Sequence, residues 1–220
     1  MEEHIVKILS VEPVTHDVRR FKIEKPQGYK FIPGQATEVA INKPEWKNER
    51  RPFTFTSLNE WDHLEFTIKI YQEHKGVTNQ LGQLKAGDEL LLHDVWGAIQ
   101  YKGEGTFIAG GAGVTPFIAI LRQLRKENKL GNNKLLFSNK TKDDIILKDE
   151  FEKMLGKNFI NTITQENIQG YDHHVIDEEY LKQKITNFNQ HFYICGPEKM
   201  VDAIKSILGK LGGKMITVEL

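Results

Sequence analysis

The segment from Thr106 to Leu121 constrains the fold of this chain most, because it reads as a strand, a glycine turn and a helix in immediate succession. Gly111 and Gly113 have no Cβ, so a phosphate can approach the main chain closely there. Pro116 suits the first helical position, and Thr115 is a candidate N-cap before it. Free N–H groups and the positive end of the helix dipole favour an anion. The segment therefore predicts a cradle for the pyrophosphate of a nucleotide.

The chain before residue 102 is predicted to be rich in β-structure. Six short runs of β-forming residues are separated by turn signals such as Pro33-Gly34 and Ala86-Gly87-Asp88, which is typical of a small antiparallel barrel or sandwich. A short helix is predicted at Val77–Leu84. The predicted strands are Ile5–Val11, Val18–Ile23, Thr37–Ile41, Phe53–Ser57, Leu64–Tyr71 and Glu89–His93.

After residue 102 the pattern changes to strands that alternate with helices. This alternation predicts a parallel sheet with helices on both faces. We expect two domains, 1–101 and 102–220, with the boundary near Lys102–Gly105, and we expect Gly131 to end the first helix. The predicted strands are Phe107–Ala109, Leu135–Ser138, Phe159–Thr164, Phe192–Cys195 and Ile216–Val218. The predicted helices are Pro116–Leu130, Lys148–Leu155, Asp177–Ile185 and Pro197–Leu211.

Composition excludes several classes of function. The chain has 30 basic and 30 acidic residues, and this balance argues against nucleic acid as a main partner. Cys195 is the single cysteine, so the sequence holds neither an intrachain disulfide nor four cysteines for an iron–sulfur cluster. His173-His174 has no further ligands at useful spacing, so no metal site is predicted. No apolar run approaches the ~18 residues of a transmembrane helix, and no signal peptide is evident, so we expect a cytoplasmic protein.

Four short motifs, taken in order, point to a family. They are Arg51-Pro-Phe-Thr54, Gly76-Val-Thr78, Gly111-x-Gly113-x-x-Pro116 and Cys195-Gly-Pro197. In the third, proline stands where the common dinucleotide fingerprint has its last glycine. With this order and spacing the chain resembles the ferredoxin–NADP reductase superfamily of flavoproteins over nearly its whole length. The resemblance implies a six-stranded antiparallel β-barrel that binds FAD and a five-stranded parallel α/β domain that binds NADPH or NADH.

The resemblance implies a flavin side built from the first two motifs. An Arg51 guanidinium can grip a flavin phosphate with two donors, and the Phe53 ring can stack on the isoalloxazine. Phenylalanine replaces the tyrosine of the family, so the hydrogen bond to the ribityl chain is lost. The Thr54 hydroxyl would lie near flavin N5, and the helix start at Gly76 would hold the flavin pyrophosphate. The alternative for this strand is an edge arginine and a core phenylalanine.

The resemblance also implies a nicotinamide side. Cys195 would face the nicotinamide C4 and flavin N5 as a positioning group, and its alternative is an ordinary core thiol. Glu219 would relay a proton toward N5. Plant-type members end in an aromatic residue that covers the flavin, whereas Val218-Glu219-Leu220 lacks it, so an exposed terminal Glu219 and an uncovered flavin face are the alternative.

The site residues implied by the resemblance fall into two groups. The catalytic residues would be Thr54, Cys195 and Glu219. The cofactor-binding residues would be Arg51, Pro52, Phe53, Thr54, Ile68, Ile70, Gly76, Val77, Thr78, Gly111, Gly113, Thr115, Pro116, Thr164, Gly196 and Pro197.

The expected function is hydride transfer from NAD(P)H to bound FAD, followed by transfer of single electrons to a separate carrier such as flavodoxin or ferredoxin. The Ser-Arg pair that grips the 2′-phosphate in NADP-using members corresponds to Thr164-Gln165 here. Glu166 would repel that phosphate and Lys140 would attract it, which leaves NADH and NADPH both open. The alternatives are a cytochrome or free-flavin reductase on the same scaffold, and a non-catalytic nucleotide-binding regulatory subunit.

Overall fold

The computed structural model describes residues 3–97 and 99–219. The first half folds into a barrel because its strands alternate buried apolar and more exposed polar side chains. In β2, for example, Phe21 and Ile23 are fully buried while Lys22 between them is not. The antiparallel strands are β1 (His4–Pro13), β2 (Val18–Glu24), β3 (Ala36–Ile41), β4 (Arg51–Thr54), β5 (His63–Lys69) and β6 (Glu89–Trp96).

The strand order in this sheet is β4-β3-β6-β1-β2-β5. Phe55, just beyond β4, forms a bridge with Phe66 of β5, so the two ends of the sheet meet and the barrel closes. The short helix α1 (Val77–Leu81) is anchored on the barrel core by Val77 and Leu81, which are both buried.

The second half is a parallel sheet of order β11-β10-β7-β8-β9 with helices on both faces, as predicted. Alternate residues of each strand point to opposite faces, so Phe107 joins one core and Ile108 the other. The strands are β7 (Gly105–Gly110), β8 (Lys134–Asn139), β9 (Phe159–Ile163), β10 (His191–Cys195) and β11 (Met215–Glu219). The helices are α2 (Thr115–Lys126), α3 (Lys148–Leu155), α4 (Glu178–Lys184) and α5 (Glu198–Lys210).

The barrel and the parallel sheet share packed residues. Val18 of β2 belongs to the same buried cluster as Phe117 and Ile120 of α2. Gly34, with a φ of +100°, lies so close to the connecting segment that a Cβ there would clash with the carbonyl oxygen of Ile99. Ile99, on the barrel side of the predicted boundary, is also part of this cluster. The two halves therefore make close contact along the first turns of α2.

Three local predictions are wrong. The fourth strand is Arg51–Thr54 rather than Phe53–Ser57, because the chain leaves the ladder at Phe55, whose N–H donates to the Gln35 carbonyl. Thr115 is not an N-cap. A 3₁₀ turn at Gly111–Val114 runs directly into α2, and the Thr115 hydroxyl donates to the Ala112 carbonyl at 3.0 Å.

Gly131 does not end α2 either. The helix stops at Lys126, and Asn128 already takes a left-handed φ of 55°. The Lys129 N–H then donates to the Leu124 carbonyl, which closes the helix end.

Among the helices of the described residues, none has both the length and the apolar character that crossing a bilayer requires.

Candidate active site

A cleft of about 640 Å³ opens between the barrel and the carboxyl edge of the parallel sheet. Lys69 and Tyr71 line it from the barrel. Residues Gly110–Gly113, Ser138–Lys140 and Cys195–Pro197 line it from the ends of β7, β8 and β10. Open α/β sheets bind ligands beyond the carboxyl ends of their strands, so this cleft is the natural binding site of the fold.

The glycines of the turn after β7 have different purposes. Gly111 has a φ of +51° and open space where a side chain would stand, so it leaves the main chain accessible from the cleft. A Cβ on Gly113 would instead clash with the main chain of Cys195 and Gly196. Gly113 is therefore required for packing of the turn against the end of β10, whereas its predicted purpose was approach to a phosphate.

Two of the predicted catalytic residues are neighbours on adjacent strands. Cys195 of β10 is in register with Glu219 of β11, so their side chains share one face of the sheet. Burial raises the pKa of the Cys195 thiol to about 12, and the Glu219 carboxylate adds to this rise. The thiol therefore stays protonated and is unsuited to nucleophilic attack.

Glu219 is a half-buried carboxyl group. Burial raises its pKa above the usual glutamate value, although the Ile99 N–H, which donates to Glu219 Oε2 at 3.2 Å, opposes the rise. Such a group holds its proton to a higher pH than an exposed glutamate and is suited to proton exchange. Leu220, which follows it, lies outside the described residues.

Gly97 lies between Glu219 and the barrel residue that pairs with Thr54. In the barrel, Thr54 at the end of β4 pairs with Ala36. A Cβ built on Gly97 would lie 3.2 Å from Gln35 Cα and 3.6 Å from Glu219 Oε1. The missing side chain of Gly97 thus lets Gln35 and Ala36 of the barrel lie close to Glu219 of the sheet.

The predicted flavin residues lie along the barrel. Arg51 is half exposed, and its Nη2 lies 3.5 Å from Glu49 Oε2. Phe53 is half-buried and packs beside Phe66, with ring centroids 6.4 Å apart. Gly76 is the N-cap of α1, with open space where a side chain would stand.

The remaining predicted flavin residues lie in the barrel core, at the start of α1 and in the β3–β4 ladder. Ile68 and Ile70 are buried in the barrel core, so their side chains face the core. Val77 anchors the start of α1, and Thr78 follows it in the same turn. Pro52 pairs with Glu38 in the ladder between β4 and β3.

The end of β8 lines the cleft, and the chain that follows β9 is hydrogen-bonded to it. The Thr164 N–H and hydroxyl both donate to the Asn139 carbonyl, at 3.0 and 3.3 Å. The Gln165 N–H donates to the Lys140 carbonyl at 2.9 Å, and the Glu166 carboxylate accepts from the Lys142 N–H at 3.0 Å. The Thr164 hydroxyl is thus already engaged within the protein.

The side-chain amide of Asn139 is a buried polar group without a hydrogen-bond partner among the described residues. It lines the cleft and is 5% exposed, yet neither its side-chain oxygen nor its nitrogen has a hydrogen-bond partner among the described residues. Buried polar groups are nearly always satisfied, so this amide fits a cleft that receives a polar ligand. Together with the open main chain at Gly111, it fits a nucleotide on the sheet side.

The structure also brings His16, Asp17 and Asp144 together, with ligand atoms within 4.8 Å of one another. Lys69 Nζ lies 2.7 Å from Asp17 Oδ2. Burial opposes the charged form of Asp17, but the Lys69 hydrogen bond holds the pKa of this carboxyl below its usual value. We interpret the group as an ion-pair network at the rim of the cleft, because Lys69 already supplies the positive charge.

Sequence reasoning missed Tyr71 and Trp61. Tyr71 was predicted only as the end of a strand, but this residue is 47% exposed and lines the cleft. Trp61 belongs to no motif, yet the Arg122 guanidinium lies 5.4 Å above its ring. Aromatic residues near the ends of barrel strands are common, so the sequence alone could not have singled out either residue.

Two family models match consecutive parts of the chain. The oxidoreductase FAD-binding domain matches residues 6–101, and the oxidoreductase NAD-binding domain matches residues 107–206.

Curated relatives are similar over most of the chain. An NADH-cytochrome b5 reductase 2 of Mycosarcoma maydis is 27% identical over 227 residues, which cover 93% of this chain and 64% of the relative. A propane 2-monooxygenase reductase component of Rhodococcus jostii is 28% identical over 222 residues, covering 92% and 58%. The chain thus spans less than two thirds of the length of these two relatives.

Solved structures show the same fold. A ferredoxin NADP+ reductase from Neisseria gonorrhoeae with bound FAD and NADP has a TM-score of 0.86 at 22% identity, covering 100% of this chain and 98% of that chain. The cytochrome b5 reductase domain of Ulva prolifera nitrate reductase has a TM-score of 0.85 at 22% identity, covering 100% and 97%.

Proposed function

Since the chain belongs to the ferredoxin–NADP reductase superfamily of FAD- and NAD-binding oxidoreductases, we propose that it reduces a separate electron-carrier protein with electrons from NAD(P)H. The observation that carries the proposal is that Cys195, which lines the cleft, is in register with Glu219 on the neighbouring strand. Gly97 lies close to Glu219 and to Ala36, and Ala36 pairs with Thr54 at the end of β4.

Bound FAD supplies the redox chemistry, because it accepts a hydride from a nicotinamide and can release the two electrons singly. The protein orients the partners and excludes water. We assign the FAD phosphates to Arg51 and to the main chain at Gly76–Thr78, and the isoalloxazine to Phe53 and Thr54. These residues fit because Arg51 is half exposed and Gly76 leaves its main chain open.

The nicotinamide nucleotide is assigned to the sheet side of the cleft. The open main chain at Gly111 suits its pyrophosphate, with Thr115 and Pro116 opening the helix behind it. The protonated Cys195 thiol offers a small uncharged contact surface, and Gly196 and Pro197 continue that wall. Glu219, with its raised pKa, is assigned to proton exchange at the inner end of the cleft.

We propose NADH as the preferred donor. In this proposal Gln165 occupies the position from which a cation would grip a 2′-phosphate, and the adjacent Glu166 carboxylate accepts a hydrogen bond from the Lys142 N–H. A phosphate brought to this position would meet a negative charge. The names of the relatives that are NADH-cytochrome b5 reductases support the same choice.

The acceptor is proposed to be a one-electron carrier outside this chain, since Cys195 is the single cysteine of the 220 residues. Flavodoxin and ferredoxin are two candidate carriers. The relatives named cytochrome b5 reductase and monooxygenase reductase component add a small cytochrome and an oxygenase component.

The test is a turnover assay with defined carriers. The FAD-loaded protein is supplied with NADH or NADPH and then with flavodoxin, ferredoxin, cytochrome b5 or free FMN in turn. The proposal predicts rapid reduction of at least one protein carrier and slow reduction of free FMN. A protein that cannot be loaded with FAD, or one that reduces only free FMN, contradicts it.

A further inference from the structure

Arg122 joins the two halves of the molecule through its guanidinium. It lies on α2, the helix that follows the glycine turn, and its side chain is only 10% exposed. Its Nη1 donates to Glu65 Oε1 and to the Thr56 carbonyl, both at 2.7 Å. Both acceptors belong to the barrel, so this one nitrogen connects the nucleotide helix to the flavin domain.

One barrel partner of Arg122, Thr56, lies close to Thr54 along the chain. Thr56 lies two residues beyond Thr54, and its hydroxyl donates to Glu65 Oε1 at 2.8 Å. The Thr56 N–H also donates to the Glu65 carbonyl at 2.8 Å. Glu65 itself is 2% exposed. A movement of the guanidinium would therefore be transmitted to the end of the strand that carries Thr54.

The rest of the guanidinium is held equally firmly. Its Nε and Nη2 donate side-on to the two oxygens of Glu150 on α3, at 2.6 and 2.8 Å. Its plane lies over the Trp61 ring of the barrel, with 5.4 Å between its central carbon and the ring centroid. Burial works against the charge, but the Glu150 and Glu65 carboxylates hold the pKa of Arg122 above its usual value. The fork geometry of arginine suits this site, and a lysine ammonium cannot reproduce it.

We propose that Arg122 is a positioning residue for hydride transfer, because its guanidinium fixes the nucleotide helix α2 against the barrel strand end that carries Thr54. The inference rests on the proposed function. Reacting atoms must lie about 3–3.5 Å apart, so a small displacement between the two halves slows transfer strongly.

Other contacts would keep the halves together without Arg122. The buried cluster of Val18, Phe117 and Ile120 spans the junction, and Lys126 Nζ lies 2.6 Å from Glu60 Oε1. Loss of Arg122 is therefore expected to loosen the angle between the halves rather than to separate them. This distinguishes positioning from simple adhesion.

The test compares Arg122→Met and Arg122→Lys with a matched control, Arg125→Met, at an exposed position one turn from the same contact. Each FAD-loaded variant is mixed with NADH and with NADPH in an anaerobic stopped-flow instrument. The readouts are the limiting rate of flavin reduction, the Kd of the nucleotide and the charge-transfer absorbance between nicotinamide and flavin. Arg122→Met is expected to lower the limiting rate by about tenfold to a hundredfold and to weaken the charge-transfer band, while Kd changes little.

Arg122→Lys is expected to fall between Arg122→Met and the wild type, and Arg125→Met to match the wild type. An Arg122→Met protein that is reduced at the wild-type limiting rate overturns the inference, as does one in which only Kd rises. If Arg122→Met does not fold, a wild-type limiting rate in Arg122→Lys overturns it in the same way. A wild type that neither nucleotide reduces contradicts the proposed function and the inference together.

Discussion

At the scale of single residues, burial suppresses the charge of two groups on neighbouring strands, Cys195 and Glu219. Cys195 keeps its proton because burial raises the pKa of its thiol, and Glu219 keeps its proton to a higher pH for the same reason. This end of the sheet therefore carries less negative charge than an exposed glutamate would give it at the same pH. An uncharged wall suits a hydride acceptor and donor that must stack closely.

The raised pKa of Glu219 predicts how the stability of the protein depends on pH. Its folded pKa is raised, so its contribution to stability is fully present below the ordinary glutamate pKa and is lost as the pH rises through the folded value. Glu219→Gln keeps an acceptor for the Ile99 N–H and removes this loss. We expect the variant to melt above the wild type at pH 8 and close to it at pH 4.

Thermal unfolding across this pH range is the measurement, with Glu73→Gln at an exposed glutamate as the control. The control should show no such pH-dependent gain. A Glu219→Gln variant that melts below the wild type at pH 8 would contradict the assignment.

The proposed position of Gln165 predicts that a substitution there changes the preference between NADH and NADPH. Gln165→Arg places a guanidinium where a 2′-phosphate is expected, and a hydrogen bond to a charged group is worth about 1.5–3 kcal/mol. The ratio of kcat/KM for NADPH to that for NADH should rise about tenfold or more. Gln183→Arg, on the exposed side of α4, adds the same charge elsewhere and should leave the ratio unchanged. An unaltered ratio in Gln165→Arg would show that the 2′-phosphate is not held there.

At the scale of elements, helices and strands with a regular pattern of apolar residues could be predicted from the sequence, but the residues at which several of them end could not. Lys148–Leu155 was predicted with its observed bounds, because its apolar residues recur at helical spacing. The fourth strand was misplaced because Phe55 and Thr56 are as apolar or β-prone as true strand residues. The main-chain N–H groups of Phe55 and Thr56 donate to the carbonyls of Gln35 and Glu65 instead. No local sequence pattern indicates these partners.

The glycine turn also shows that the sequence alone does not distinguish similar residues with different roles, and two substitutions there can be compared. The glycines at 111 and 113 look alike in sequence, yet only Gly113 touches the main chain of Cys195 and Gly196. Gly113→Ala should cost about 1–3 kcal/mol of unfolding free energy through overpacking. Gly111→Ala should cost roughly 1 kcal/mol, because it meets only the strain of a positive φ.

Urea denaturation of both variants measures the difference. Gly111→Ala should also raise the Kd for NADH, because its methyl group enters the open space at the turn. The reverse order of stabilities would mean that Gly113 does not pack against the end of β10.

At the scale of the whole molecule, the sequence predicted two sheets but not how they meet. The four motifs indicated an FAD barrel and a nucleotide domain, and the family and fold agree with that prediction. At the junction Arg122 binds Glu65 of the barrel and Glu150 of α3, and these three residues are distant in sequence and belong to no motif. A buried arginine looks like a surface arginine until its partners are known, so this part of the site required the structure.

The most direct test of the account is an anaerobic titration of the FAD-loaded protein with NADH, in which the flavin absorbance is monitored. If the two nucleotides meet in the cleft between the barrel and the sheet, one equivalent of NADH should bleach one equivalent of flavin within seconds. A flavin that stays oxidised in the presence of excess NADH and excess NADPH would contradict the account.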